Sequence, residues 1–264
     1  MMEIKINADI VLDQVKSNGY FVQQNAIDID IYNPIQKFWM DECSNIKSTS
    51  TKYIRGMFDI IGEANLSAYS NIHDNFFFRY TEYLWNKPKS QETRDLIYAV
   101  HKIRNKLLNN HEYDGIAFSE KNNALSLACT IYPNKDGCLS EHSDIPDKNK
   151  LVLHSYIPIT FGGEHFEEGG LYVKDNNDKI NHLDLIAKPG SVVYFNGAFR
   201  HGVTKTKSKR NLDRIALYPM HSYFFNSSNV SYFLKNLIKL ESKIRRRFLK
   251  QKFGQGLVSK EINN

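Results

Sequence analysis

At 264 residues, with 41% hydrophobic and 24% charged side chains, the chain can bury a substantial core and has the balance of an ordinary globular protein, which excludes fibrous and disordered classes. Its net charge of +6 is local: residues 231–253 carry eight Lys or Arg against the single acid Glu241, a surplus of +7 that leaves the rest near −1, so the body is not a basic nucleic-acid reader. No window approaches the roughly 18 apolar residues of a membrane span and the start MMEIKINADIVLDQ lacks a secretory pattern, so a cytoplasmic location is expected.

In chain order, Asn7 can cap a helix carrying Ile10, Val11 and Val15, which Asn18-Gly19 stops before the strand-like YFV at 20–22. Asn33-Pro34 is read as opening a second helix with Ile35, Phe38 and Trp39 on one face. In TRDLIYAVHKIRNKLLNN the residues Leu96, Val100, Ile103 and Leu107 recur at helical spacing and predict a third helix packed on a sheet. FFFRYTEYLW at 76–85 could wall a pocket, and core packing is the expectation.

From about residue 124 the texture changes to short β-rich runs: LSLACTIY, LVLHSYIPIT, GLYVKD, NHLDLIA, SVVYFN and RIALYPM. Breakers such as PNKDG, FGGEHFEEGG, DNND and KPG separate them. The expected architecture is α+β with a mainly β core: a jelly roll over 124–222, a mixed helix and strand half over 1–123, and a basic amphipathic helix over 231–253, all in one domain. Phe233, Leu237, Leu240, Ile244 and Phe248 form that last helix's apolar stripe. It is read as packing on the chain's own sheet or a second subunit in preference to an anionic membrane or acidic partner. Cys43, Cys129 and Cys138 are odd in number and unclustered, as expected of reduced thiols.

Two residues at i and i+2 on a strand share a face, so His-x-Asp or His-x-Glu can offer two ligands to one metal. Three such pairs occur: His142 and Asp144, His165 and Glu167, His182 and Asp184. A two-histidine, one-carboxylate iron site needs a third ligand from elsewhere and keeps three positions open; His201, just past SVVYFN, is the candidate. In a jelly roll the two parts of such a site lie on neighbouring strands separated in sequence by several others. Asp144 leaves room for four strands before His201, whereas Asp184 leaves one and Glu167 sits in a glycine-flanked loop. The favoured set is therefore His142, Asp144 and His201, against a plain polar turn, since isolated His-x-Asp pairs are common.

The order of motifs over about 130–220 resembles the iron(II)- and 2-oxoglutarate-dependent oxygenases, in particular their prolyl 4-hydroxylase-like branch. The matching residues are Tyr132, Gly137, His142, Asp144, the strand LVLHSYIPIT, Gly169-Gly170, Pro189-Gly190, His201 and Arg214. The first 125 residues contribute nothing to the match. The resemblance implies a double-stranded β-helix with Fe(II) on His142, Asp144 and His201. It also implies 2-oxoglutarate as co-substrate, with Arg214 gripping its far carboxylate in preference to Arg210, and Tyr132 adding a hydroxyl. The reaction implied is hydroxylation of a small molecule by O2, releasing succinate and CO2; Asp144 is present, which argues against halogenation. A peptide or protein side-chain hydroxylase and a catalytically silent jelly-roll binding module are the alternatives. Arg200 and Lys205 beside His201 are read as solvated, and His154, His165, His182 and His221 as structural.

Overall fold

The computed structural model describes residues 4–52, 65–72, 74–83, 86–114, 125–147 and 149–221. The basic helix expected over 231–253, Leu84, Trp85 and the side chain of His221 lie outside them. No described helix is long and apolar enough to cross a membrane.

Helix α1 (Ala8–Asn18) starts where Asn7 accepts a bond from the Ile10 amide, and it ends at Gly19 with φ of 84°. There an added Cβ would stand 2.7 Å from the Phe199 ring, so both the turn and its packing require glycine. Strand β1 (Tyr20–Gln23) follows. The second helix, α2 (Ile29–Thr49), begins a turn earlier than the Asn33-Pro34 reading, because Asp28 caps it by accepting from the Asp30 amide. Pro34 is thus carried inside the helix. Ser90 caps α3 (Gln91–Leu107), whose buried Leu96, Ile97, Val100 and Leu107 form the expected stripe. Trp39 joins these layers: its Nε1 donates to Thr93 Oγ1 at 2.9 Å and its ring lies 5.7 Å from that of Tyr80.

Between α2 and α3 run three strands that the sequence reading did not separate: β2 (Thr51–Lys52), β3 (Leu66–Ile72) and β4 (Asn75–Tyr83). After α3 come β5 (Leu125–Tyr132), β6 (Leu139–His142), β7 (Leu153–Pro158), β8 (Glu168–Lys174), β9 (Ile180–His182), β10 (Val192–Asn196), β11 (His201–Lys207) and β12 (Arg214–His221). The run NHLDLIA is strand only as far as His182; Leu183–Ile186 form the helical turn α4. Leu183 and Asp184 are buried while Leu185 and Ile186 stay exposed, a helical rather than alternating pattern of burial.

An eight-stranded sheet has the order β1-β10-β7-β12-β5-β4-β3-β2, and a four-stranded sheet the order β6-β11-β8-β9. Strands β5 to β12 thus pass between the sheets in jelly-roll fashion, antiparallel throughout. Four strands separate Asp144 from His201, as the sequence required. Side chains alternate faces along a strand, so the register Tyr132↔Arg214, Thr130↔Ala216 and Ala128↔Tyr218 puts these residues on one face of the large sheet. Ala216↔Pro158 and His154↔Phe195 extend that face through Tyr156 to β10. On β4 the aromatic run divides: Tyr80 packs toward the helices on Trp39, while Phe77 lies 5.6 Å from the Tyr132 ring on the inner face.

Candidate metal centre

His142 ends β6 and His201 begins β11, and the two residues are direct cross-strand partners. Asp144 lies two residues past His142, in the turn after the strand. One potential ligand atom from each of the three residues falls within 4.8 Å of the others, and the two imidazole centroids are 4.3 Å apart. Each ring is oriented by a backbone carbonyl: His142 Nδ1 bonds the Ser140 oxygen and His201 Nδ1 the Phe199 oxygen, both at 2.9 Å. A carbonyl only accepts, so each Nδ1 carries a hydrogen, and in the neutral ring it is Nε2 that has the lone pair. That is the tautomer a metal-binding histidine needs. Burial holds the His201 pKa down at about 4, with the neighbouring His142 adding to the effect against the Phe199 carbonyl, so its imidazole is neutral and able to ligate at neutral pH.

A third histidine completes the surroundings. His154, on the inner face of β7, bonds Asp144 Oδ2 through Nε2 at 2.7 Å. Oδ1 is the oxygen facing His142, 4.0 Å from its Nε2. Burial would raise the Asp144 pKa, but the His154 bond and the potential of the surrounding histidines outweigh it and hold the carboxyl below its ordinary range. The backbone behind this carboxylate is Gly197. Its carbonyl accepts from the Asp144 amide at 2.8 Å and its own amide donates to the Val152 carbonyl at 2.8 Å. A Cβ there would meet Asp144 Oδ2 at 2.1 Å and His154 Nε2 at 2.7 Å. Neither His154 nor Gly197 had been assigned a role at the site from the sequence. The available signal was a histidine inside the largely apolar run LVLHSYIPIT, on the same face as Tyr156.

Arg214 opens β12 and is fully buried. Its Nε donates to Asp184 Oδ2 at 2.8 Å, and its Nη2 to Asp184 Oδ1 at 3.3 Å and to the Tyr218 hydroxyl at 3.2 Å. Nη1 is buried without an acceptor. The guanidinium lies over the Tyr132 ring at 5.2 Å and the Tyr156 ring at 5.5 Å. Its rival Arg210 is exposed. Tyr132 is buried, and burial together with Tyr218 raises its pKa. An orphaned buried donor beside an aromatic wall suits a carboxylate, the group to which a guanidinium bonds best.

The other two pairs diverge. His165 is buried in its own loop, with Nδ1 facing the Phe161 amide at 3.4 Å, while Glu167 pairs with Lys209 at 2.6 Å. His182 stands just before α4 without a side-chain bond to it, and Asp184 turns to Arg214. Arg200, read as a solvated neighbour of His201, is ion-paired with Glu141, which also takes Lys174 at 2.7 Å.

No protein-family model matches the sequence, and no curated protein matches it. Solved structures do match in fold. A prolyl-4-hydroxylase from Pseudomonas putida aligns with a TM-score of 0.54 at 12% identity, over 80% of this chain and 96% of that one. The non-heme alpha-ketoglutarate-dependent epimerase SnoN from nogalamycin biosynthesis aligns with a TM-score of 0.52 at 10% identity, over 81% of each chain. SnoN in complex with Fe3+, alpha-ketoglutarate and nogalamycin RO gives 0.50 at 8% identity, over 81% of this chain and 82% of that one. These likenesses show a fold shared with the prolyl-4-hydroxylase and SnoN structures.

Proposed function

We propose that the chain is an Fe(II)- and 2-oxoglutarate-dependent oxygenase that hydroxylates a small molecule. The observation that carries this reading is the convergence of His142, Asp144 and His201, both imidazoles locked with Nε2 available, on a fold that has Arg214 buried with a free donor. Two nitrogens and one carboxylate oxygen are the donor set of non-heme Fe(II) oxygenases and leave positions open. When bound, Fe(II) with O2 and the keto acid supplies oxidative decarboxylation, in which 2-oxoglutarate loses CO2 and takes one oxygen atom as succinate, leaving the other for the substrate.

The chain's own residues hold and orient. His142 and His201 would offer their Nε2 nitrogens, and Asp144 its Oδ1 while His154 retains Oδ2. Arg214 Nη1 takes the far carboxylate of the keto acid, with the Tyr132 and Tyr156 rings excluding water around it. The small-molecule class is supported by the likeness to SnoN, an enzyme of nogalamycin biosynthesis. A test is succinate formation from 2-oxoglutarate in air with added Fe(II), screening small molecules and peptides. Succinate that appears with wild type and is lost in His142→Ala is the expected result; none from wild type, with no Fe(II) bound, would return the chain to a silent binding module.

A further inference from the structure

The third His-x-Asp pair supplies a residue that the proposed reaction had not used. Asp184 is fully buried, and four donors converge on its carboxylate: the Tyr156 hydroxyl at 2.8 Å, the Leu171 amide at 2.5 Å, and Arg214 through Nε at 2.8 Å and Nη2 at 3.3 Å. The fold makes room for this group. Gly170 has φ of +96°, and a Cβ there would stand 2.5 Å from Asp184 Oδ2, so the carboxylate can reach the β8 backbone only because this residue has no side chain. Asp184 thereby ties α4 and β8, at the small sheet, to Tyr156 and Arg214 on the inner face of the large one.

A guanidinium is a planar fork with five N–H donors in fixed directions. Asp184 takes the Nε and Nη2 edge of Arg214, Nη2 also reaches the Tyr218 hydroxyl, and Nη1 is left buried without an acceptor. With one edge clamped, the direction of the remaining donor is set before any ligand arrives. We infer that Asp184 is a positioning residue: it clamps Arg214 by one edge so that Nη1 is presented, pre-oriented, to the far carboxylate of the keto acid. This rests on the oxygenase reading above.

The inference has a sign that electrostatics alone would reverse. A negative charge beside the cation repels an incoming dianion, so if Asp184 acted only through its charge, neutralising it would tighten 2-oxoglutarate. If it acts as a clamp, loosening the guanidinium weakens 2-oxoglutarate. Anaerobic calorimetry on the full chain loaded with Fe(II) separates the two, using 2-oxoglutarate and 2-oxovalerate, a keto acid of the same length without the far carboxylate. In Asp184→Asn, 2-oxoglutarate should bind about tenfold more weakly, the size of effect typical of a ligand's outer-shell partner, with 2-oxovalerate unchanged. Tyr156→Phe removes one donor to the clamp while keeping the ion pair, and should show the same selective loss in smaller degree, which keeps the test open if Asp184→Asn does not fold. Unchanged or tighter 2-oxoglutarate binding, or an equal loss for both keto acids, would overturn the clamp. Wild type that binds neither keto acid would overturn the oxygenase reading and this inference together.

Discussion

Gly197→Ala probes the centre with the smallest possible change, a single methyl group. The added carbon would lie 2.1 Å from Asp144 Oδ2, which falls 1.3 Å short of the 3.4 Å where ordinary contact begins. The backbones cannot part cheaply, because the Asp144 amide is bonded to the Gly197 carbonyl and the Gly197 amide to the Val152 carbonyl. The carboxylate must therefore swing, leaving His154, and the movement exceeds by several-fold the roughly 0.2 Å that metal–ligand distances tolerate. Metal affinity should fall by about 10- to 100-fold, equivalent to about 1.4–2.7 kcal/mol. The overpacking itself costs stability by about 1–3 kcal/mol. Anaerobic calorimetry with Fe(II) or Mn(II) on wild type and variant, beside thermal melts of both, measures the two effects. A variant that is folded and binds metal as tightly as wild type would refute the placement of Asp144 against this glycine.

The remaining expectations concern the frame and its ionisation. Cys43 and Cys129 are buried, with burial raising the thiol of Cys43 to about 12 and that of Cys129 well above its usual value, while Cys138 is part-exposed. An alkylating reagent on native protein should therefore label Cys138 alone of the three, and mass spectrometry showing prompt labelling of Cys43 would contradict the core. Glu82 is fully buried and accepts from the Tyr80 hydroxyl at 2.7 Å, the Lys89 amide at 2.8 Å and Arg94 at 2.6 Å. Glu82→Ala strands the arginine and should cost about 3–5 kcal/mol, read as a large drop in the melting midpoint; a shift within error would show the pair to be inert. Burial lowers both His101 and His201 from 6.5 to about 4. The unfolded chain protonates these groups first, so their contribution is whole above pH 6.5 and lost as pH falls toward 4, at about 1.4 kcal/mol per unit for each. Denaturant titrations of metal-free protein between pH 7 and 5 should show this loss, and His101→Gln should remove roughly 2 kcal/mol of it; an equally steep variant would contradict the assignment.

The three side chains of the proposed metal centre were readable because much of their signal is local. His142 and Asp144 declare themselves by spacing, and His201 follows from counting the strands that a jelly roll needs between them. The β-rich runs gave the core strands for the same reason, since alternation and breakers act over a few residues. What was missed is long-range. The start of β4 is fixed by pairing with β3 and β5, and although alternation puts Phe77 and Tyr80 on opposite faces, nothing within FFFRYTEYLW says which face turns to Tyr132 and which to Trp39. Strand β6 was hidden because LSEH is polar and its burial irregular. Asp184 resembled a metal ligand in sequence because His-x-Asp reads alike on a strand and at a helix start. Only the turn of α4 and the missing side chain at Gly170 send its carboxylate to Arg214.

The central claim, that three side chains form one Fe(II) site with a keto-acid anchor beside it, is tested most directly by anaerobic titration of Fe(II) and then 2-oxoglutarate. The readout is the visible charge-transfer band of a keto acid chelated to Fe(II), followed in wild type, Asp144→Ala and Arg214→Gln. Wild type should bind one Fe(II) per chain and develop the band, Asp144→Ala should lose the Fe(II), and Arg214→Gln should keep it while needing far more keto acid. Wild type that takes up no Fe(II), or Asp144→Ala that binds Fe(II) and develops the band like wild type, would contradict the account.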